Sequence, residues 1–264
     1  MDCIDPRALP RAIALRYDGG EIVFPTGGAP VMKQYTYEGC GLGVYNKSAD
    51  FLDDPGFRRA HGRGWAARGR KGAGIDDNRW IIHVVLWAAS QAARLGGDFV
   101  ECGVDTGMMS VAICDWLDFN TQDRDFWLFD TFAGIPEAQM TAEERAGIGG
   151  WHNRHSYEEC FAAATANFAP WPRCRLIRGE VPGSLAAFPA DRAVAYLSID
   201  MNIVAPEIAA LEFFWDRLVP GAMVLLDDYA WATHRGQKAA MDTFAARRGA
   251  MILSLPTGQG LLIR

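Results

Sequence analysis

The stretch Gly97-Asp98-Phe99-Val100-Glu101-Cys102-Gly103-Val104-Asp105-Thr106-Gly107 has the pattern of a short buried strand, a glycine-containing turn and the start of a helix near Met108. Gly103 and Gly107 let the backbone turn sharply and approach a ligand where a Cβ atom would collide. Two glycines at this spacing fall short of the dinucleotide motif G-x-G-x-x-G, so the stretch alone is a weak signal. It predicts the first strand, turn and helix of an α/β sheet that binds a nucleotide-like cofactor.

A second buried strand follows along the chain and ends in an acid. The residues Phe126-Trp127-Leu128-Phe129-Asp130 are apolar up to the terminal carboxylate. In open α/β sheets an acid at this place can accept hydrogen bonds from both hydroxyls of a ribose, so Asp130 is the expected partner of the glycine turn. A role as a helix N-cap or turn residue is the alternative for Asp130.

Strands and helices alternate over the rest of the chain, which predicts a parallel sheet covered by helices on both faces. The expected strands are 98–102, 125–130, 174–178, 193–199 and 222–227, and the expected helices are 79–95, 108–119, 156–168, 183–188, 206–218 and 235–248. The last two strands, 251–255 and 260–263, are separated by Pro256-Thr257-Gly258-Gln259, which is too short for a crossover helix. These two strands must therefore form an antiparallel hairpin.

Aspartates end two further buried strands. Asp200 follows the strand near residue 199, and Asp227 with Asp228 follows the strand near residue 226. Adjacent parallel strands would bring these carboxylates to the edge of the sheet that carries the glycine turn. They would repel one another unless a cation or protons intervened, and hard oxygen ligands favour Mg²⁺ or a similar ion that could orient a substrate hydroxyl. The alternative is that the aspartates only cap the helices that follow.

The composition limits the functions that the chain can have. Half of its 264 residues are hydrophobic, which is enough for one α/β domain with an N-terminal addition. The formal charge of −6 argues against a nucleic acid or a membrane as partner, because either would favour a clustered basic face. The basic stretch from Arg58 to Lys71 is interpreted as a mobile solvated loop, with an anion contact as the alternative. The six cysteines form no C-x-x-C pair and no signal peptide is evident, so we expect a cytoplasmic protein.

Three regions are expected along the chain. Residues 1–75 lack sustained periodicity and are interpreted as an N-terminal extension that covers the main domain or a second copy of the chain in a homo-oligomer. Residues 76–264 are expected to form the cofactor-binding domain. The insertion 132–157 lies within this domain, after a strand end where loops line the ligand crevice. It is therefore a candidate lid, and a passive surface excursion is the alternative.

Four of these stretches together resemble the macrocin O-methyltransferase family of class I S-adenosylmethionine-dependent enzymes, which methylate hydroxyls of sugars and other natural products. The matching stretches are Asp98 to Gly107, Phe129 to Pro136, Leu197 to Asp200 and Leu225 to Tyr229. The resemblance implies a Rossmann-like α/β fold with a mostly parallel seven-stranded sheet and an antiparallel C-terminal hairpin. It also implies S-adenosylmethionine and a divalent cation such as Mg²⁺ as cofactors, and a small-molecule hydroxyl as the methyl acceptor.

The resemblance further implies roles for individual residues. Glu101, Gly103 and Gly107 would hold the methionine part of the cofactor, whereas Asp130 would bind its ribose. The full set of implied cofactor residues is Glu101, Gly103, Val104, Gly107, Ser110, Asp130, Thr131, Phe132, Gly179, Glu180 and Asp200. The implied metal ligands are Asp200, Asp227 and Asp228.

One position departs from the family pattern. Members of the type considered carry a second aspartate two residues after Asp200, where it can act as the general base, and this sequence has Asn202 there. An amide cannot take a proton from a hydroxyl, although it can coordinate a metal or hold a substrate. His234 is the first candidate for the base, followed by His152 and His155 in the insertion, with a structural role as the alternative for each. The expected catalytic residues are thus His234, Asn202 and Asp200.

Two other functions remain open at the level of the sequence. A protein of the same fold that binds the cofactor but has lost catalysis would account for Asn202. A nicotinamide-dependent oxidoreductase is the other alternative. It is disfavoured by the missing third glycine and by the expected closing hairpin.

Overall fold

A computed structural model of the chain describes residues 35–69 and 77–264, together with the backbone of two short strands nearer the N-terminus. These two strands, β1 (Arg16–Tyr17) and β2 (Gly20–Glu21), pair in antiparallel fashion. The chain divides into two compact units, Met1–Gln34 and Tyr35–Arg264. The expected extension of residues 1–75 therefore spans the first unit and the beginning of the second, and its contact with a second copy of the chain stays a prediction.

A hairpin begins the second unit. Its antiparallel strands are β3 (Tyr35–Gly39) and β4 (Leu42–Tyr45). Tyr37 is buried in this hairpin, and its hydroxyl donates a hydrogen bond of 2.7 Å to the backbone carbonyl of Asp77. This bond ties the hairpin to the residues just before the helix that begins at Arg79.

Helix α1 (Pro55–Arg68) occupies most of the basic stretch that we expected to be a mobile solvated loop, and that expectation is wrong for the residues up to Arg68. The helix begins at a standard cap, because the Asp54 side chain accepts a hydrogen bond of 2.7 Å from the Phe57 backbone N–H. Proline at the first helical position is also favourable there. Arg70 and Lys71 lie outside the described residues.

The composition of α1 explains why its helical character was missed. Its buried positions include glycine and alanine, whose weak hydrophobicity gives little periodic signal. A Cβ atom on Gly64 would lie 2.4 Å from the backbone oxygen of Met108, so α1 contacts the next layer at close range. The basic side chains lie on the outer face, where Arg59 and Arg63 form ion pairs with Asp115.

The central sheet has seven strands and agrees with the expected architecture. Its strands are β5 (Asp98–Cys102), β6 (Phe126–Asp130), β7 (Cys174–Arg178), β8 (Val194–Ile199), β9 (Leu218–Leu226), β10 (Leu253–Ser254) and β11 (Gly260–Ile263). Their order in the sheet is β10-β11-β9-β8-β5-β6-β7. The five strands from β9 to β7 are parallel, whereas β11 pairs with β9 and with β10 in antiparallel fashion. The predicted closing hairpin is confirmed.

Helices cover both faces of the sheet, as predicted. They are α2 (Arg79–Ala92), α3 (Met108–Trp116), α4 (Ala142–Ala146), α5 (Ile148–His155), α6 (Phe161–Phe168), α7 (Val204–Trp215) and α8 (Arg235–Arg247). Successive side chains of β5 point to opposite faces. Phe99 packs with α1, α2, α3 and α6, and Val100 packs with α7 and α8. Among the described residues, no helix has both the length and the hydrophobicity needed to cross a membrane.

Some boundaries differ from the expected ones. Helix α6 begins at Phe161 rather than near residue 156, and the expected helix 183–188 is a 3-10 helix, Gly183–Ala187. Strand β9 begins at Leu218, four residues before the expected start. These differences leave the order of elements unchanged.

The insertion 132–157 contains the two short helices α4 and α5. Helix α4 begins with a capping box, in which the Thr141 and Glu144 side chains each accept a hydrogen bond from the other residue's backbone N–H. The second carboxylate oxygen of Glu144 accepts a hydrogen bond of 2.8 Å from the backbone N–H of Val204. The insertion is thereby joined to the first turn of α7, beside the end of β8. Its role as a lid stays a prediction.

Candidate active site

The carboxyl ends of β5, β8 and β9 meet at one edge of the sheet. The strand order reverses at β5, which pairs with β6 on one side and with β8 on the other. This reversal is the place where open α/β sheets bind their ligands. Asp200, Asp227 and Asp228 follow the ends of β8 and β9, and each places a carboxylate oxygen within 4.8 Å of those of the other two. The predicted convergence of these three acids is therefore present in the structure.

The electrostatics of this aspartate cluster, Asp200, Asp227 and Asp228, are unfavourable without a positive charge. Burial, reinforced by the charges of Asp227 and Asp228, raises the pKa of Asp200 well above its usual range. Burial and the Asp227 charge likewise raise the pKa of Asp228. The Oδ2 atom of Asp228 is buried and has no hydrogen-bond partner among the described residues. Three clustered carboxylates, one of them buried with an unpartnered oxygen, suit a divalent cation such as Mg²⁺.

A glutamine in the closing hairpin orients one member of the cluster. Gln259 is fully buried between β10 and β11, and its Nε2 donates a hydrogen bond of 3.1 Å to Oδ1 of Asp227. The Thr257 hydroxyl donates to Oε1 of the same glutamine at 2.9 Å, which fixes the amide orientation. The antiparallel hairpin therefore contributes directly to the geometry of the site.

The two glycines of the turn after β5 are required by close packing within the chain. Gly103 has φ +92°, and a Cβ atom on it would lie 1.8 Å from the backbone oxygen of Asp200. Gly107 has φ +98°, and its Cβ atom would lie 2.4 Å from the Phe168 ring. The left-handed conformation and these contacts both exclude a side chain. The turn after β5 thus packs directly against the backbone of Asp200, the residue that follows β8.

Asp130 closes this turn through its own hydrogen bonds. Its Oδ2 accepts backbone N–H groups from Val104 at 2.5 Å and Asp105 at 2.8 Å. Its Oδ1 accepts the Phe132 N–H at 2.6 Å and the Thr131 hydroxyl at 3.3 Å. The carboxylate therefore has the turn role that was the alternative interpretation, and its contact with a ribose stays a prediction.

Glu101 lies inside the sheet edge rather than at its surface. Its carboxylate accepts a hydrogen bond from the hydroxyl of Ser110 on α3, and both side chains are buried. Burial, together with the charges of Asp227 and Asp130, raises the pKa of Glu101 well above its usual range. The acid thus lies near both Asp130 and Asp227, and its contact with a cofactor stays a prediction.

The remaining predicted cofactor residues lie around the ends of β6 and β7. Phe132 is buried with φ +53°, and its ring packs on Phe161 at 5.1 Å between centroids. The Gly179 N–H donates to the backbone oxygen of Asp130 at 2.9 Å. Glu180 is exposed and accepts a hydrogen bond of 3.3 Å from Gln139 in the insertion. Their contacts with adenosine stay predictions.

Asn202 occupies a strained turn beside the cluster. Its φ is +64°, and its Nδ2 donates hydrogen bonds to Oδ1 of Asp200 at 3.3 Å and to the hydroxyl of Tyr157 at 3.0 Å. The turn is held by Glu207, whose Oε1 accepts the Met201 N–H at 3.1 Å. The amide therefore connects the end of β8 to the insertion.

His234 lies at the N-cap position of α8 and is buried. Its Nε2 lies 3.7 Å from Oδ2 of Asp228 and has no hydrogen-bond partner among the described residues. Its Nδ1 contacts the Thr233 hydroxyl at 3.0 Å. Burial and the nearby His152 lower the pKa of His234 to about 4. The structure therefore brings this predicted residue to the aspartate cluster as a neutral imidazole.

The two histidines of the insertion differ in position. Burial lowers the pKa of His152 to about 4, and its buried Nδ1 has no hydrogen-bond partner among the described residues. Its ring stacks on Tyr157 at 5.3 Å between centroids. His155 is exposed and packs on Trp151, with no contact to the cluster among the described residues. Of the two, His152 is the one near the site.

Several polar residues of the site were not recognised from the sequence. They are Tyr157, Glu207, Gln237 and Gln259. Glu207 and Gln237 are buried on α7 and α8 and hydrogen-bond to each other at 3.0 Å. The available signal was weak, since each is a single polar residue outside any recognised motif. Only the sheet topology shows that they face the same strand ends.

The strand order, the antiparallel closing hairpin and the crevice at the ends of β5 and β8 define a class I methyltransferase fold. The model of the macrocin O-methyltransferase family matches residues 58–252, and the chain belongs to this family. It is accordingly an enzyme of O-methyl transfer, and membership implies S-adenosylmethionine as the methyl donor. The nicotinamide-dependent alternative is not supported.

One similar protein has a described substrate that carries a sugar, and two solved structures have a similar fold. A protein of Streptomyces olivaceus, described as 8-demethyl-8-(2,3-dimethoxy-alpha-L-rhamnosyl)-tetracenomycin-C 4'-O-methyltransferase, is 28% identical over 184 residues, which cover 65% of this chain and 67% of the relative. The O-methyltransferase NovP is 20% identical with a TM-score of 0.59, covering 70% of this chain and 79% of its own. The calicheamicin methyltransferase CalS11 is 18% identical with a TM-score of 0.57, covering 83% and 98%. The two solved structures show the shared fold.

Proposed function

We propose that this protein transfers a methyl group from S-adenosylmethionine to a hydroxyl of a sugar unit in a small natural product, and that it uses a divalent cation such as Mg²⁺. The observation that supports this most directly is the convergence of Asp200, Asp227 and Asp228 beside the glycine turn after β5. A sugar is supported as acceptor by the Streptomyces olivaceus relative, whose described substrate carries a rhamnosyl group.

The methyl donor would bind along the ends of β5, β6 and β7. When bound, S-adenosylmethionine supplies an activated methyl group on a sulfonium. The residues proposed to hold it are Glu101, Gly103, Val104, Gly107, Ser110, Asp130, Thr131, Phe132, Gly179, Glu180 and Asp200. Gly103 and Gly107 let the turn after β5 close against Asp200 and Phe168, and a cationic ligand beside the buried Glu101 would favour the charged form of this acid.

The aspartate cluster would hold the cation. When bound, the cation supplies Lewis acidity that lowers the pKa of the acceptor hydroxyl. The chain prepares this site through neighbouring amides, because Asn202 donates to Asp200 and Gln259 donates to Asp227. Such supporting hydrogen bonds orient metal ligands and tune their basicity.

His234 is proposed to take the proton that the acceptor hydroxyl loses. Its ring is neutral at physiological pH, so Nε2 can offer a lone pair, and this atom has no other partner among the described residues. The contact of Nδ1 with Thr233 fixes the ring orientation. After proton transfer, the nearby carboxylate of Asp228 would stabilise the charged imidazole.

The proposed reaction is a direct displacement. The bond between sulfur and the methyl carbon breaks while a bond between the hydroxyl oxygen and that carbon forms, and the hydroxyl proton passes to His234. Holding the two reactants at attack distance contributes up to about 7–11 kcal/mol to such reactions. The rigid contact between Gly103 and Asp200 keeps the donor side and the acceptor side of the site in register.

The proposal is tested by measuring methyl transfer from S-adenosylmethionine to nitrophenyl α-L-rhamnoside and related glycosides, with Mg²⁺ and with EDTA. We expect methyl transfer in the presence of Mg²⁺, loss of this activity when EDTA is added, and its return when excess Mg²⁺ is supplied. Full activity with EDTA present would contradict the metal role. Absence of transfer to every hydroxylated glycoside would contradict the proposed acceptor class.

A second candidate function is a cofactor-binding protein without catalysis, which Asn202 favours because it stands where a base is expected. Such a protein would bind S-adenosylhomocysteine but would show no methyl transfer and no stabilisation by Mg²⁺. Thermal unfolding with each ligand separates the two candidates, because a ligand that binds the native state raises Tm.

A further inference from the structure

Tyr157 follows α5 in the insertion and lies between the two halves of the site. Its hydroxyl contacts Asn202, which also contacts Asp200 of the aspartate cluster. Burial, and then the charges of Asp200, Asp228, Asp105 and Asp130, raise the pKa of the phenol well above its usual range. The sequence analysis assigned no role to this residue. Its position is the one in which a methyl donor and an acceptor would meet.

The hydrogen bond with Asn202 shows whether the Tyr157 hydroxyl acts as donor or acceptor. Nδ2 of Asn202 contacts both Oδ1 of Asp200 and the hydroxyl of Tyr157. An amide nitrogen carries hydrogens and can only donate, and Nδ2 is the atom of Asn202 that faces both oxygens. The same nitrogen therefore donates to Tyr157, and the phenol oxygen is the acceptor in that bond.

The phenol proton is consequently free for another partner. Among residues 35–69 and 77–264, none accepts a hydrogen bond from the Tyr157 hydroxyl. The ring itself is held in place by the stacked ring of His152 and by the small apolar cluster of Ile135, Met140 and Ile203. A fixed donor without a protein partner, beside a site for a polar substrate, is suited to bind an oxygen of that substrate.

We propose that Tyr157 donates a hydrogen bond to an oxygen of the acceptor that is adjacent to the oxygen being methylated. A donor on the reacting oxygen itself would withdraw electron density from the nucleophile, whereas a donor on its neighbour orients the acceptor without this cost. The inference rests on the proposed function and narrows it to acceptors with two adjacent oxygens, of which the second is a hydroxyl or an ether. Sugars carry such pairs.

The test combines Tyr157→Phe with removal of the neighbouring oxygen from the substrate. Nitrophenyl α-L-rhamnoside is methylated by the wild-type protein and the position of the new methyl group is found by NMR. The deoxy analogues that lack one or the other oxygen next to that position are then compared with the parent. The matched control is Tyr35→Phe, which removes a phenol hydroxyl from a side chain that is 49% exposed on the β3–β4 hairpin.

We expect Tyr157→Phe to lower kcat/KM for the parent glycoside about tenfold, as the loss of one hydrogen bond predicts. For one deoxy analogue, the variant and the wild type should have equal kcat/KM. Calorimetry should show a matching increase of Kd for the parent in the complex with S-adenosylhomocysteine, with the affinity for S-adenosylhomocysteine itself unchanged. Tyr35→Phe should change none of these values.

Other outcomes overturn the inference in distinguishable ways. An equal loss on the parent and on every deoxy analogue would show that Tyr157 acts only through the structure of the insertion. Unchanged kcat/KM and Kd for the parent would show that its hydroxyl does not contact the acceptor. Absence of methyl transfer by the wild-type protein to any glycoside would overturn the proposed function, and the Tyr157 inference with it.

Discussion

Asp130 is the last residue of β6 and Asp228 follows the end of β9, so both lie at the same edge of the sheet. Their surroundings differ. The Asp130 carboxylate accepts hydrogen bonds from Val104, Asp105, Phe132 and Thr131, so each of its oxygens has partners within the chain. Asp228 lies among other acids and has a buried oxygen without a partner. Burial of an unpaired polar atom is costly, so it is tolerated where a ligand completes the site. The Asp130 carboxylate is therefore held by donors of the chain itself, whereas the Asp228 carboxylate keeps an oxygen that has no partner among the described residues.

The strongest test of this difference is Asp228→Asn. We expect methyl transfer to fall by about 1,000-fold or more, because a bound metal contributes several kcal/mol to catalysis. We also expect the variant to have a higher Tm than the wild type in EDTA, since one of three clustered carboxylates is neutralised. A methyl-transfer assay with Mg²⁺ measures the first effect, and thermal unfolding with and without Mg²⁺ measures the second. A wild type whose Tm does not respond to Mg²⁺ would contradict the metal site.

Asp130→Ala tests the carboxylate that is held by donors of the chain itself. Loss of its carboxylate leaves three backbone N–H groups of the turns without their acceptor, which should lower the free energy of unfolding by roughly 3 kcal/mol. Urea unfolding without any ligand measures this loss. Asp123→Ala is the control, because the Asp123 side chain is 99% exposed. Equal stability of both variants would show that Asp130 is not the support of the turn.

Glu207 extends the comparison to pH. Burial raises the pKa of Glu207 to about 7, with the Glu144 charge adding to the effect and the hydrogen bonds from Gln237 and Met201 opposing it. The pKa of Glu207 is higher in the folded protein than in the unfolded chain. Its protonated form therefore contributes fully to the free energy of unfolding below about pH 4.5, and this contribution is lost as the pH rises towards 7. Glu207→Gln should remove this loss, and the variant should gain about 2–3 kcal/mol relative to the wild type between pH 5 and pH 8. Urea unfolding at the two pH values measures the difference, and identical pH profiles would contradict it.

Gln259→Leu should have the smallest effect of the four. It removes the donor to Asp227 but leaves the three carboxylates in place. We expect the affinity for Mg²⁺ to fall about tenfold, as is typical when a supporting hydrogen bond to a metal ligand is lost. A titration of Tm against Mg²⁺ measures the change, and unchanged affinity for S-adenosylhomocysteine is the control. Full retention of Mg²⁺ affinity would show that the hairpin does not tune the cluster.

The sequence predicted the features that depend on the order of strands. Asp200, Asp227 and Asp228 could be placed together because parallel strands present their carboxyl ends at one edge. The closing hairpin followed from the length of its turn. Such inferences need only the period of hydrophobic residues and the topology, which are readable along the chain.

The features that the sequence did not predict depend on contacts between distant segments. Tyr157 meets Asn202 only because the insertion folds back over the end of β8. Helix α1 was missed because its buried face is formed in part by Gly64 and small side chains that pack closely on α3. Asp130 could be assigned to the sheet edge, but its use by four donors of the chain depends on the exact path of two turns. Loop paths and close packing have no simple period along the sequence.

The contact between Gly103 and the carbonyl of Asp200 has a consequence for how this enzyme can diversify. The backbone itself sets the spacing between the donor side and the acceptor side, so substitutions elsewhere cannot easily shift it. Under the proposed function, in which Tyr157 of the insertion 132–157 contacts the acceptor, selection for a new acceptor would act on this insertion and leave the spacing unchanged. A lineage that exchanges only this insertion should therefore change the molecule it modifies and keep its chemistry.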